Sequence, residues 1–159
     1  MKAAIISQYH AALTMLTDTM QKCPNELWID DNYDSAYWRI VYHALFYTDL
    51  YLSESVESFI PWDKHRPDYN QLGRLNEGQS SFKVYPKDEL MAYAELVANK
   101  ADTKVNEESF EDASGFPWLK MTKFELQLYN IRHIQHHTGQ LIERLHQNGI
   151  NGIDWKGRG

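Results

Sequence analysis

Four segments of the sequence repeat apolar residues at helical spacing, and they constrain the fold more than any other feature. They cover residues 2–22, 35–58, 86–105 and 122–146. Pro24 closes the first segment, and Asp34 is the predicted N-cap of the second. TKFE at the start of the fourth segment has the spacing of a capping box, and Asn148-Gly149 ends the fourth. No region shows a convincing set of alternating strands. The sequence therefore predicts an all-α protein, a four-helix bundle.

The connection between the second and third segments, residues 59–85, is long for a compact domain. A crossover that spans the bundle accounts for this length, because it lets helices 2 and 3 run parallel instead of forming a hairpin. Its apolar side chains are predicted to pack it on the bundle: Trp62, Tyr69, Leu72, Leu75 and Phe82. Phe116 and Trp118 are the predicted anchors of a second loop, and Trp155 is that of an irregular tail at 148–159.

Length and composition limit the kind of protein. The 159 residues favour a single domain, 1–159, with a substantial core. A formal net charge of −6 and the lack of a lysine- or arginine-rich run argue against nucleic acid or a membrane surface as the main partner. One cysteine, Cys23, permits no intramolecular disulfide, and the N-terminal residues lack the apolar segment of a signal peptide. Both observations favour a cytoplasmic location.

Residues 132–141, RHIQHHTGQL, hold three of the seven histidines inside the fourth predicted helix. His133 and His137 are four residues apart, so they share one helix face and can ligate one metal ion. A chance pair at this spacing is unremarkable, and surface or core histidines remain the alternative. His136 points roughly 60° away around the helix and is predicted at the rim of a pocket.

His43 lies in the most apolar helix of the chain, between Val41 and Leu45, where a buried polar ring needs a partner. A hydrogen bond to backbone or to a tyrosine is the ordinary solution. A bundle that brings helix 2 beside helix 4 offers another one, in which three histidines form a nitrogen site with a vacant coordination position. Asn130 and Gln140 flank that face and are predicted to hydrogen-bond the ligand rings.

Other patterns that carry chemistry are incomplete. Glu143-x-x-His146 is a single Glu-x-x-His, whereas a di-iron bundle needs two such motifs and further glutamates. Residues 30–35, DDNYDS, begin like a calcium loop but have serine at the glycine position. The sequence contains no HExxH, Walker loop, Gly-x-Ser-x-Gly or dinucleotide fingerprint.

A histidine in the second helix, a long crossover and HxxxHxGQ in the fourth helix together resemble the DinB-like family of metalloenzymes. The last motif runs from His133 through His137 and Gly139 to Gln140, and the helix layout covers nearly the whole chain. The resemblance implies a bundle in up-down-down-up order. It also implies a divalent metal, zinc or nickel, held by His43, His133 and His137, and a homodimer. Some relatives are transferases or isomerases that use a low-molecular-weight thiol, and many have no assigned activity.

Three functional interpretations follow. The first is a metal-dependent hydrolase or thiol S-transferase that acts on a small-molecule substrate, with a metal-bound water or thiolate as the nucleophile and no protein general base. The second is a non-catalytic bundle, with or without metal, in stress response or protein interaction. In the third, the histidines bind nothing and line a polar pocket in the core. The occupant of the fourth coordination position discriminates the first two.

Overall fold

The computed structural model describes residues 1–74 and 82–159. Five helices occur in these ranges: α1 (Lys2–Lys22), α2 (Asn25–Trp28), α3 (Tyr37–Tyr51), α4 (Lys87–Glu107) and α5 (Lys123–Gln147). No strand forms in the described parts of the chain, where Ala113 and Thr122 make only an isolated bridge. The predicted all-α class is confirmed. None of the described helices combines the length and apolar character that crossing a bilayer requires.

The four long helices surround one apolar core. α1 packs against α4 and α5, α3 packs against the same two helices, and the short α2 packs against α3. The core contains fully buried side chains from each long helix, among them Leu16, Leu45, Leu90 and Leu126. Because α3 and α5 are direct neighbours, the second and fourth predicted helices share a face, as the three-histidine hypothesis requires.

Local signals placed the ends of α1 and α5 correctly. α1 covers Lys2–Lys22, as predicted. At α5, the Thr122 side chain accepts from the backbone N–H of Glu125, and the Glu125 side chain accepts from the backbone N–H of Thr122. This capping box satisfies two of the helix's free donors, so the helix start is defined within four residues of sequence.

The prediction for α3 was too long. Asp34 does not cap the helix: its carboxylate pairs with Arg74, and Ala36 occupies the cap position. The helix ends at Tyr51 rather than near residue 58. The buried Lys123 ammonium donates to the carbonyl oxygens of Ser53 and Glu54, which a continuing helix would have used for its own hydrogen bonds. A side chain distant in sequence therefore sets this end.

Aromatic side chains attach the described part of the crossover to the bundle. Trp62 stacks on Tyr93 of α4 with ring centroids 4.5 Å apart, and Tyr69 packs on Trp38 of α3 at 5.9 Å. Phe82 packs on Tyr69 with ring centroids 4.4 Å apart, and the guanidinium of Arg39 in α3 lies 4.8 Å from the centre of its ring. Leu72 is 36 % exposed and is therefore a weak anchor, and Leu75 lies outside the described residues.

The other predicted anchors are mixed. Phe116 is buried, but Trp118 and Trp155 are 55 % and 76 % exposed, so neither acts as an anchor. No helix forms after residue 148. Backbone contacts along α1 hold the tail instead: the Gly159 N–H donates to the Ser7 carbonyl at 3.1 Å. The prediction that Trp155 anchors the tail is wrong, because an apolar side chain is buried only where a surface is available to cover it.

Candidate metal centre

Two cross-links between α3 and α5 hold the region where the histidines meet. At one end, the Tyr37 hydroxyl shares its single proton between the Thr19 carbonyl of α1 at 3.2 Å and the Leu141 carbonyl of α5 at 3.5 Å. At the other, the Asn130 amide donates to the Thr48 carbonyl at 3.1 Å. His43 lies between these links on α3 and faces α5. The two helices are thus joined on both sides of the candidate site.

Three imidazoles meet there through the same ring atom. The Nε2 of His133 is 3.2 Å from the Nε2 of His43 and 3.1 Å from the Nε2 of His137. We call these three residues the histidine cluster. Their potential ligand atoms all lie within 4.8 Å of one another, and no aspartate, glutamate or cysteine belongs to the cluster within the described ranges. The structure therefore brings together the three residues that the sequence nominated.

Hydrogen bonds on the opposite ring nitrogens determine the tautomers of two members. The Nδ1 of His43 is 2.6 Å from the Asn70 carbonyl oxygen, and the Nδ1 of His137 is 2.8 Å from the side-chain carbonyl oxygen of Gln140. A carbonyl oxygen only accepts, so each Nδ1 carries the proton and donates it. In the neutral rings, Nε2 of His43 and Nε2 of His137 are then both lone-pair acceptors.

His133 does not balance these two lone pairs. Its Nδ1 is buried and has no hydrogen-bond partner in the described structure. A neutral His133 has one ring proton: on Nε2 it faces two acceptors at once, and on Nδ1 it leaves three lone pairs facing one another. Either arrangement leaves acceptor nitrogens without donors, and a cation among the three Nε2 atoms would satisfy them. The donor set fits a divalent transition metal.

Burial keeps the histidine cluster neutral. Desolvation is the main cause that lowers the pKa of His43 to about 4 and that of His133 to about 3, and the neighbouring histidines lower both further. Burial also lowers the pKa of His137. Protons therefore do not supply the missing positive charge at neutral pH. His43 and His133 are partly buried rather than fully enclosed, whereas His137 is buried.

The flanking residues occupy different positions. Gln140 bonds His137, the contact expected of a residue that orients a ligand ring. Asn130 is buried between α5 and α3, donates to Thr48 rather than to a histidine, and has no partner for its Oδ1 in the described structure. His136 is exposed and stays out of the cluster, although its ring centroid is 5.0 Å from that of His137. The roles of Gln140 and Asn130 in metal binding remain predictions.

Sequence reasoning missed two residues at this site. The Tyr47 ring lies 4.7 Å from the ring of His43 and 5.7 Å from that of His133, measured between centroids. Asn70 bonds His43 through its carbonyl, and its side-chain amide donates to the Tyr47 hydroxyl at 3.3 Å. Tyr47 is four residues after His43, so helical spacing could have nominated it. Nothing in the sequence pointed to Asn70, because its role depends on where the crossover docks.

Two other features do not belong to the site. Cys23 is buried, and burial raises the pKa of its thiol to about 12, so it is not a reactive thiolate. A cavity of about 790 Å³ lies near the start of α3, lined by Trp38, Arg39 and Phe82 among others, but none of the clustered histidines lines it. The histidine cluster and this cavity are therefore separate parts of the structure.

No family model matches the sequence, and no curated protein or solved structure matches the chain.

Proposed function

We propose that this protein is a DinB-like metalloprotein that binds a divalent metal, zinc or nickel, through Nε2 of His43, His133 and His137. A single observation carries the proposal: Nε2 of His133 lies within hydrogen-bond distance of Nε2 of both His43 and His137. The latter two atoms are both acceptors, because Nδ1 of each ring carries the proton. A polar core pocket would instead pair donors with acceptors.

The proposed bundle runs up-down-down-up. Contacts between neighbouring helices support this order. α1 meets α5 at Tyr9–Gln127 and Met15–Gln135, and α3 meets α4 at Tyr42–Tyr93 and Asp49–Lys100. α1 meets α4 at Lys2–Asn106, and α3 meets α5 at Tyr37–Leu141. Positions rise together along α1 and α5, and again along α3 and α4, as in parallel pairs. They run in opposite senses between α1 and α4, where His10 also pairs with Asp102, and between α3 and α5, where Asn130 also bonds Thr48. We also propose that the protein is a homodimer located in the cytoplasm.

The proposed activity is a metal-dependent hydrolase or a thiol S-transferase that acts on a small electrophile. A divalent metal held by these three neutral imidazoles would retain its charge, and it would supply a lowered pKa to a bound water or low-molecular-weight thiol. The chain's own residues orient the site: Asn70 and Gln140 fix two ring tautomers, and the Tyr47 ring covers one side of two ligands. The partial exposure of His43 and His133 supports an open position.

A non-catalytic metal-binding bundle in stress response or protein interaction is the alternative function. It shares the three ligands but needs no accessible coordination position. The chain supplies no carboxylate or thiolate to the histidine cluster from its described residues, which favours the open, catalytic form. Occupation of the fourth position by a side chain, detected spectroscopically in a cobalt-substituted sample, would favour the alternative.

Metal analysis of protein purified without a histidine tag tests the site. We expect about one metal per chain in the wild type and a large loss in His43→Ala and His137→Ala. His136→Ala is the matched control, because it removes an adjacent, exposed imidazole and should retain the metal. Wild-type metal content in both cluster variants would refute the proposal. Metal-dependent consumption of thiols in the presence of electrophiles then distinguishes the transferase from the hydrolase.

A further inference from the structure

One side of α3 contacts a single short segment of the crossover. Ser35 lies just before the helix, and Arg39, His43 and Tyr47 follow at intervals of four residues, so the series continues along one face. All four side chains bond residues 70–73, which we call the docking segment. The segment runs along α3 in the opposite direction to the helix, because Asn70 meets Tyr47 and Gly73 meets Ser35.

Arg39 makes the most contacts with the docking segment. Its two terminal nitrogens donate to the carbonyl oxygens of Gln71 and Gly73, each at 2.8 Å. Its guanidinium also lies 4.8 Å from the centre of the ring of Phe82, a residue near the C-terminal end of the crossover. The residue is only 7 % exposed. A planar group that donates in two directions fixes both the position and the orientation of the backbone it contacts.

The docking segment also carries the group that orients His43. The Asn70 carbonyl accepts from Nδ1 of His43, and Gln71, the next residue, is held by Arg39. If the segment moves, this acceptor moves with it, and His43 loses the bond that keeps its proton on Nδ1. The ring then populates the other tautomer, whose Nε2–H cannot ligate a metal.

We propose that Arg39 is a positioning residue of the metal centre, which holds the docking segment so that the Asn70 carbonyl keeps Nε2 of His43 available as a ligand. The importance of this role for metal binding rests on the proposed function. The role itself concerns the metal-free chain. Linkage makes the effect reciprocal: metal binding at His43 stabilises the docked segment to the same extent that docking strengthens metal binding.

Three variants test the role of Arg39. Arg39→Met keeps the volume and removes both donors, Arg39→Lys keeps the charge without the fork, and Ser35→Ala removes the acceptor of the Gly73 N–H at the other end of the segment. Arg74→Met is the matched control, because it removes an exposed arginine next to the segment that pairs with Asp34 instead. The wild type should show His43 protonated on Nδ1 in ¹⁵N NMR spectra of the metal-free protein.

Arg39→Met should give mixed His43 tautomers and a loss in zinc affinity of roughly 10- to 100-fold, the range for residues that orient metal ligands. Arg39→Lys should recover part of both, Ser35→Ala should show a smaller change, and Arg74→Met should match the wild type. Zinc should also slow hydrogen exchange of the Gly73 amide in the wild type. If Arg39→Met does not fold, Arg39→Lys and Ser35→Ala can be compared with Arg74→Met in the same two measurements.

Unchanged His43 ring shifts in the arginine and serine variants would overturn the proposal, even if their stability fell. Failure of the proposed function is distinguishable, because a wild type that takes up no zinc, nickel or cobalt refutes the metal site while the tautomer measurement still decides the role of Arg39. Mixed tautomers in the Arg39 variants beside a single tautomer in Arg74→Met would support the role in either case.

Discussion

Two polar clusters interrupt the apolar surface of α3, and they are built on opposite principles. One is the histidine cluster. The other, the carboxylate cluster, consists of Asp49, Ser53, Tyr93 and Lys100 between α3 and α4. Asp49 accepts from Tyr93 at 2.8 Å and from Lys100 at 2.5 Å, and Lys100 also donates to Ser53 at 3.0 Å. Each of these donors has an acceptor.

The histidine cluster lacks this complementarity. Its members present acceptor nitrogens to one another, and the Nδ1 of His133 has no partner in the described structure. Buried polar groups are ordinarily paired, so an unpaired set needs a reason. The carboxylate cluster has a structural purpose that is complete within the chain. The histidine cluster would be complete only with the proposed cation, and this difference separates a stabilising contact from a candidate binding site.

The largest expected effect comes from the carboxylate cluster. Asp49→Ala should lower the free energy of unfolding by about 3 kcal/mol, because it removes the acceptor of the buried Tyr93 hydroxyl and the carboxylate partner of Lys100. The Lys100 ammonium keeps only the Ser53 hydroxyl and the backbone carbonyl of residue 49 as acceptors. Urea denaturation measures the loss. Asp102→Ala, which breaks the partly exposed pair with His10, is the control and should cost less than about 1 kcal/mol. Equal losses would mean that the carboxylate cluster is not specially stabilising.

Metal addition should stabilise the protein by nearly as much. A ligand that binds only the folded state at 100 times its Kd adds about 2.7 kcal/mol, so zinc should raise the unfolding free energy of the metal-free protein by that amount. Magnesium, which prefers oxygen ligands, should have little effect. His133→Asn should abolish the zinc response, since His133 is the member that contacts both others. An undiminished response in this variant would place the zinc elsewhere.

A smaller effect is expected where a side chain orients a ligand. Gln140→Leu removes the acceptor of the His137 Nδ1–H and should weaken zinc binding about tenfold, which corresponds to about 1.4 kcal/mol. Competition with a chromogenic chelator measures the affinity. Gln135→Leu, on the same helix but directed to Met15 of α1, is the control and should bind zinc like the wild type. Identical affinities in both variants would remove Gln140 from the site.

The last effect develops only below neutral pH: it is a pH dependence of the stability of the metal-free protein. The folded pKa values of His43 and His133, about 4 and about 3, lie below the ordinary value of 6.5, so the unfolded chain binds more protons between these limits. Stability contributed by the neutral rings should be complete above pH 6.5 and decline as the pH falls towards 4. Denaturation at a series of pH values should show a shallower decline in His133→Asn than in the wild type.

The pH comparison between the two proteins is needed because Glu108 acts in the opposite direction. Burial raises its pKa from 4.5 to about 7, so its contribution to stability falls as the pH rises through that interval. This contribution is common to the wild type and His133→Asn and cancels in their difference. If the stability of the wild type and of His133→Asn declined equally with pH, burial would not be lowering the pKa of His133.

Prediction from sequence succeeded where the determining contacts are local. The ends of α1 and the capping box of α5 depend on residues within one helical turn of each other. It failed at the end of α3, where Lys123 takes the carbonyls of Ser53 and Glu54 across about 70 positions of chain. Asp34, nominated as a cap, pairs instead with Arg74 of the crossover.

The candidate site divides in the same way. The sequence by itself determined the pair His133 and His137, because an interval of four residues on a helix places two rings together whatever the tertiary fold. It nominated His43 only on the condition that helices 2 and 4 are neighbours. The tertiary structure decided that condition, and it alone added Asn70 and Arg39, since their contacts exist only where the crossover lies on α3. Local spacing supplies the candidate ligands, and long-range packing orients their rings.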